Sequence, residues 1–131
     1  MDAADLEPLA LDLSRIVRQE FPGWVMDAPP RGPNPFVSYW RSGEQALDVT
    51  IQVLESAALA GAEVYRHVEH AMVSPDDRPA IGDGGALWQP ADARSANLVF
   101  HQDNVFVEVG GMDGAPMRPF AELVSRLLAQ H

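Results

Sequence analysis

Residues 45 to 55 set the first constraint on the fold. Leu47, Val49, Ile51 and Val53 alternate with Asp48, Thr50 and Gln52, and a period of two puts every apolar side chain on one face of a strand. A strand with one dry and one wet face belongs to a sheet that buries one side and shows water the other. Phe36 to Arg41 reads as its partner, joined around Ser42-Gly43, so the pair is a hairpin. A second hairpin follows at Asn97–Gln102 and Val105–Val109, turning at Gln102-Asp103-Asn104. Hairpins pair neighbouring strands antiparallel. Short strands are also expected at Trp24–Asp27 and Ala86–Gln89. The four prolines between Ala28 and Pro35 are expected to stop the first of them, because proline removes backbone donors.

Three stretches carry the other periodicity. Leu6, Leu9, Ala10, Leu13, Ile16, Val17 and Phe21 fall on one stripe of a helix that Asp5 caps and Pro22-Gly23 ends. Ser56 caps a second helix running to about Met72, with Ala57, Gly61, Val64, Val68 and Ala71 as its apolar side. Phe120, Leu123, Val124, Leu127 and Leu128 mark a third, C-terminal helix. The order predicts an α+β fold: a largely antiparallel sheet of about five to six strands with three amphipathic helices. It reads as two β-β-α units preceded by an N-terminal helix. At 131 residues the chain is expected to be a single domain, 1–131, since domains cluster at roughly 100–150 residues.

Charge and composition exclude several functions. Nineteen carboxylates against nine basic residues, all arginine, leave a net charge of −10. That field repels phosphate backbones, so nucleic acid is not an expected partner. With no cysteine there is no disulfide scaffold and no thiol nucleophile. No apolar run approaches the roughly 20 residues of a membrane span. The N-terminus has neither the basic nor the apolar region of a secretory signal. The expectation is a cytoplasmic protein, with a secreted form from which a signal has been removed left open.

Candidate chemistry is sparse. Glu63, His67 and His70, spaced by four and three, fall within an arc of roughly 60° on the second helix, close enough in angle to share a metal ion. The stripe of that helix lies more than about 100° away by the same count, so the three are expected to face solvent. The order is not HExxH. Gly82-Asp83-Gly84-Gly85 lacks the Lys-Ser/Thr of a phosphate loop and precedes no helix; its glycines are expected to serve turns, with Asp83 capping one through its own side chain. No Gly-x-Ser-x-Gly elbow is present, and no carboxylate pair stands out for acid–base work. His101, near the second hairpin turn, is expected to face solvent. Trp24, Tyr39, Trp40 and Trp88 lie near strand ends and loops, where aromatics line ligand clefts and interfaces.

Gly82-Asp83-x-x-Ala86-x-Trp88, followed by the hairpin with Asp103-Asn104-Val105 and an amphipathic terminal helix, resembles uncharacterised bacterial lipoprotein and sensor-type domains. The resemblance covers about the C-terminal half. It implies an antiparallel sheet with helices, related to the Mog1/PsbP-like fold, and it implies no activity. The chain departs from the pattern in having Asp103 where glycine is usual and in lacking a lipobox cysteine.

Three functions follow as expectations. The first is a non-enzymatic binding or accessory domain that takes a protein partner or an apolar small ligand through Trp24, Tyr39, Trp40 and Trp88, with no cofactor. A homodimer is its expected form, because three helices leave part of a sheet in need of cover. The second is a metal-binding or small ligand-handling enzyme using Glu63, His67 and His70. The third is a purely structural domain.

Overall fold

The computed structural model describes residues 1–91 and 94–131. A 3₁₀ turn, Ala3–Asp5, leads into α1, Leu6–Glu20. Strands β1 (Val25–Arg31), β2 (Phe36–Ser42) and β3 (Gln45–Val53) precede α2, Ala57–His70. Strands β4 (Gly84–Trp88), β5 (Ser95–Gln102) and β6 (Val105–Met112) precede α3, Met117–Gln130. Each expected β-β-α unit therefore carries a third strand in front. The sequence also predicts a polar loop after Gln89 through Ser95, part of which, residues 92–93, lies outside the described residues.

All pairings are antiparallel, in the order β1-β2-β3-β6-β5-β4. The two halves meet at the β3–β6 seam, where Val49 lies opposite Val109 and Ile51 opposite Val107. The alternation of residues 47 to 53 does what its period requires. Leu47, Val49 and Ile51 are buried, and together with Val107, Val109, Leu98 and Phe100 they face α1 and α3. On that face Phe120 of α3 sits among aromatic rings, with its centroid 4.8 Å from Phe21 and 6.0 Å from both Trp24 and Trp40. The opposite face receives α2, which packs on β4, β5 and β6 over a thin core of Ala86, Val99 and Phe106.

Side-chain caps and ties fix the connections. Ser56 Oγ accepts from the Leu59 amide at 3.2 Å, the N-cap expected of it. Asp5 does not cap α1 through its side chain; it closes the preceding turn, its carboxylate accepting from the Asp2 amide. Asn104, in the two-residue turn between β5 and β6, donates to the carbonyls of Leu54 and Met1 at 2.9 and 2.6 Å. Beyond α2 the chain returns alongside β4, where Asp77 bridges Leu87 in both directions.

The proline segment departs from expectation. β1 does not end at Asp27 but runs through Pro29 and Pro30 to Arg31. It is an outermost strand, so a proline whose nitrogen points away from β2 forfeits no pairing. The remaining mismatch is absorbed by register irregularities between Met26 and Ala28 and between Ala28 and Arg31.

Candidate functional site

The four candidate aromatics divide between the two faces of the sheet. Trp24 and Trp40 are 7% and 2% exposed and belong to the α1/α3 core. Trp40 Nε1 donates to Ser38 Oγ at 3.0 Å, which satisfies both buried polar groups. They fill space around Phe120 inside the core, which leaves them little surface to offer a ligand. Tyr39 and Trp88 lie on the opposite face and are half-buried.

Strand register places Tyr39 and Trp88 on a single row. Tyr39 pairs with Asp48, Asp48 with Gly110, Gly110 with Asn97, and Asn97 with Trp88. Residues paired across antiparallel strands project to the same side, so the row runs Tyr39, Asp48, Gly110, Asn97, Trp88 across five strands. Four interstrand spacings make it about 19 Å long. Gly110 leaves a saddle at its centre, into which the Asp48 carboxylate leans; a Cβ at position 110 would collide with Asp48 Oδ1. One register step along, Glu108 Oε2 accepts from Asn97 Nδ2 at 3.1 Å.

Two of the three candidate metal ligands stand over the Trp88 end of this row. His67 and His70, with Arg66, Ala71, Trp88 and Asn97, line a cleft of about 370 Å³. His67 does not face solvent as the stripe predicted. The inward arc of α2 is centred on Ala60, Val64 and His67, and Ala60 is its buried residue while Ala57 is exposed. The imidazole lies 5.0 Å from the Phe106 ring, and its Nε2 is 3.8 Å from Glu108 Oε2. Its Nδ1 is 2.9 Å from the Glu63 carbonyl oxygen. A carbonyl only accepts, so Nδ1 carries the proton. Glu63 turns to Arg66 at 2.7 Å, and that hydrogen bond holds its carboxyl below the usual range. Glu63, His67 and His70 therefore do not converge on one point, and among the described residues no group of three His, Cys, Asp or Glu is placed to hold a metal ion.

Asp48 is the electrostatically strained member of the row. Burial pushes its carboxyl above the ordinary range, and the neighbouring Glu108 charge pushes the same way. A carboxyl whose folded pKa is raised favours the fold while protonated, below its unfolded pKa. That contribution is lost as pH rises through the folded value. Asp48→Asn should accordingly stabilise the domain at pH 7 by roughly 0.5 kcal/mol, the scale of one cross-strand pair. The gain should fade as pH falls towards the unfolded pKa of aspartate. Thermal melts of both proteins across that window test it, and a gain independent of pH would show that charge is not the cause.

Sequence reasoning missed Asp48, Asn97 and Glu108. The visible signal was Asp48 as the acidic outward residue of the cleanest strand, but its neighbours are set by the β3–β6–β5 register. The glycine loop is a turn, as expected, with Gly82 at φ 59° and Gly84 at φ 143°. Asp83 does not cap that turn; its carboxylate accepts from the Asp103 amide at 2.6 Å and ties the loop to the β5–β6 hairpin. His101 lies under α2 instead of facing solvent. A Cβ at Gly61 would come 3.4 Å from its ring, and its Nδ1 is buried without a hydrogen-bond partner. Such a group costs on the order of 1–3 kcal/mol.

No protein-family model, curated protein or solved structure matches this chain. Among the described residues no helix is long and apolar enough to cross a membrane.

Proposed function

We propose that the protein is a non-enzymatic binding domain whose partner is an extended protein segment with a basic residue at its centre. The row from Tyr39 to Trp88 carries the reading. Two aromatics about 19 Å apart are too far apart to grip one small molecule but suit two anchor side chains of an extended segment. Between them, Asp48 and Glu108 offer negative charge over the Gly110 saddle, where a lysine or arginine would relieve their mutual repulsion. α2 covers the β4–β6 half of this face, and among the described residues no helix lies over the β1–β3 half. That half presents Val25, 61% exposed, along with half-buried Val37, Tyr39 and Thr50. The net charge of −10 would speed encounter with a basic partner. A second copy of this chain, equally acidic, is the less suited partner.

Selection from a random peptide library tests this. Recovered peptides should carry Lys or Arg between apolar residues, and Tyr39→Asp should weaken them at least about tenfold, the scale of one interface anchor. Asp48→Lys should abolish their binding. Melting curves establish that both variants fold. Peptides that bind either folded variant as well as they bind the parent would refute the proposal.

A further inference from the structure

The other flank of α2 opens on a second groove of about 550 Å³, within the range of small-molecule sites. Its walls come from α2, from residues 78–80 and from the glycine loop, and His101 of β5 lines it too. Two glycines build it by bringing backbone close. Gly82 lies so near β5 that a Cβ would stand 2.5 Å from the His101 carbonyl oxygen, and one at Gly85 would stand 2.9 Å from that of Val99. Val64, Val68 and Pro79 supply apolar surface, and Tyr65, 67% exposed, lines the groove beside them.

The polar groups are of three kinds. Asp83 already accepts from the Asp103 amide. His101 holds a buried nitrogen with no partner. Arg15, Arg41, Arg66, Arg94, Arg118 and Arg126 each pair with a carboxylate, whereas the guanidinium of Arg78, like those of Arg18 and Arg31, enters no ion pair among the described residues, and of these three only Arg78 lines this groove. In a chain with so large an excess of carboxylates, an arginine left free beside an apolar groove is a ready partner for an anion.

We infer that this groove binds a small organic anion: an aryl or branched alkyl body bearing one carboxylate. Arg78 takes the carboxylate in a charge-assisted hydrogen bond, and Val64, Val68 and Pro79 take the body. His101 gives the head group a second contact through Nε2, which stands on the α2 side of the ring, 3.4 Å from where a Cβ at Gly61 would lie. The site shares no residue with the Tyr39–Trp88 row, so either can fail without the other.

Phenylacetate, 2-phenylethanol and 2-phenylethylamine present the same body with negative, neutral and positive heads. Titrated into the isotopically labelled protein, phenylacetate should shift the amide resonances of Gly61, Gly82, Gly84 and Gly85, and the other two should not. Arg78→Gln should weaken phenylacetate about tenfold, the loss expected for one charge-assisted hydrogen bond. Ala80→Trp, at an exposed position lining the groove, should block it. Arg126→Gln, which removes an equal charge paired with Glu20, should change nothing. The inference is overturned if phenylacetate leaves those glycines unshifted, if the alcohol matches it, or if Arg78→Gln binds like the parent. Arg78 is on the surface, so that variant decides the matter even if Ala80→Trp does not fold.

Discussion

Phe120→Ala is expected to cost about 4 kcal/mol, the middle of the range for deleting a buried phenylalanine ring. Phe120 is fully buried, and its ring is the common neighbour of Phe21, Trp24 and Trp40. Phe21 and Trp24 come from the turn that leaves α1 and Trp40 from β2, so the cavity would open where α3 meets both. No single neighbour can fill it without leaving its own contacts. Domains of this size are stable by only about 5–15 kcal/mol, so the variant would lose a large share of its margin. Urea denaturation followed by tryptophan fluorescence measures this directly, because Trp24 and Trp40 border the cavity. A loss below about 1.5 kcal/mol would mean that the aromatic cluster repacks freely and does not join α3 to the sheet.

The second large effect is expected at Gly82. Gly82 and Gly43 have nearly the same left-handed backbone, at φ 59° and 60°. A side chain at Gly43 would meet nothing within 4 Å, whereas one at Gly82 would meet the His101 carbonyl at 2.5 Å and the Phe100 ring at 2.9 Å. Gly43→Ala should therefore cost only the conformational penalty, about 1 kcal/mol. Gly82→Ala should cost about 3 kcal/mol, because a main-chain atom in a central β-ladder must also give way. Thermal melts of the two variants isolate the steric part by difference. Equal losses would show that the loop does not press on β5.

Much of the fold was legible because it rests on local periodicity. The alternation of Leu47, Val49, Ile51 and Val53 gave β3 its faces, the Ser56 cap gave the start of α2, and the stripe from Phe120 to Leu128 gave α3. The prolines after Asp27 are as compatible with a loop as with an edge strand, and which of the two forms is a property of the whole sheet. Trp24 and Trp40 read as site residues because nothing in their neighbourhood along the chain announces Phe120. The Tyr39–Trp88 row was hidden for a related reason. Its members lie far apart in sequence and become neighbours only through register, which no spacing encodes. An apolar stripe counts no polar residue, so by that measure His67 faces solvent. The helix in fact turns it towards Phe106 and Glu108, partners that only the folded sheet supplies.

The prolines of β1 and the Asp77–Leu87 bridge have a joint consequence for how this protein can meet others. A sheet can grow sideways wherever its last strand shows free amides and carbonyls, and that is a common route to ribbons, swapped dimers and fibres. On one side here, Pro29 and Pro30 have no amide to give. On the other, the returning chain already occupies Leu87, whose amide bonds to the Asp77 carbonyl and whose carbonyl receives the amides of Asp76 and Asp77. Strand addition is obstructed at both margins.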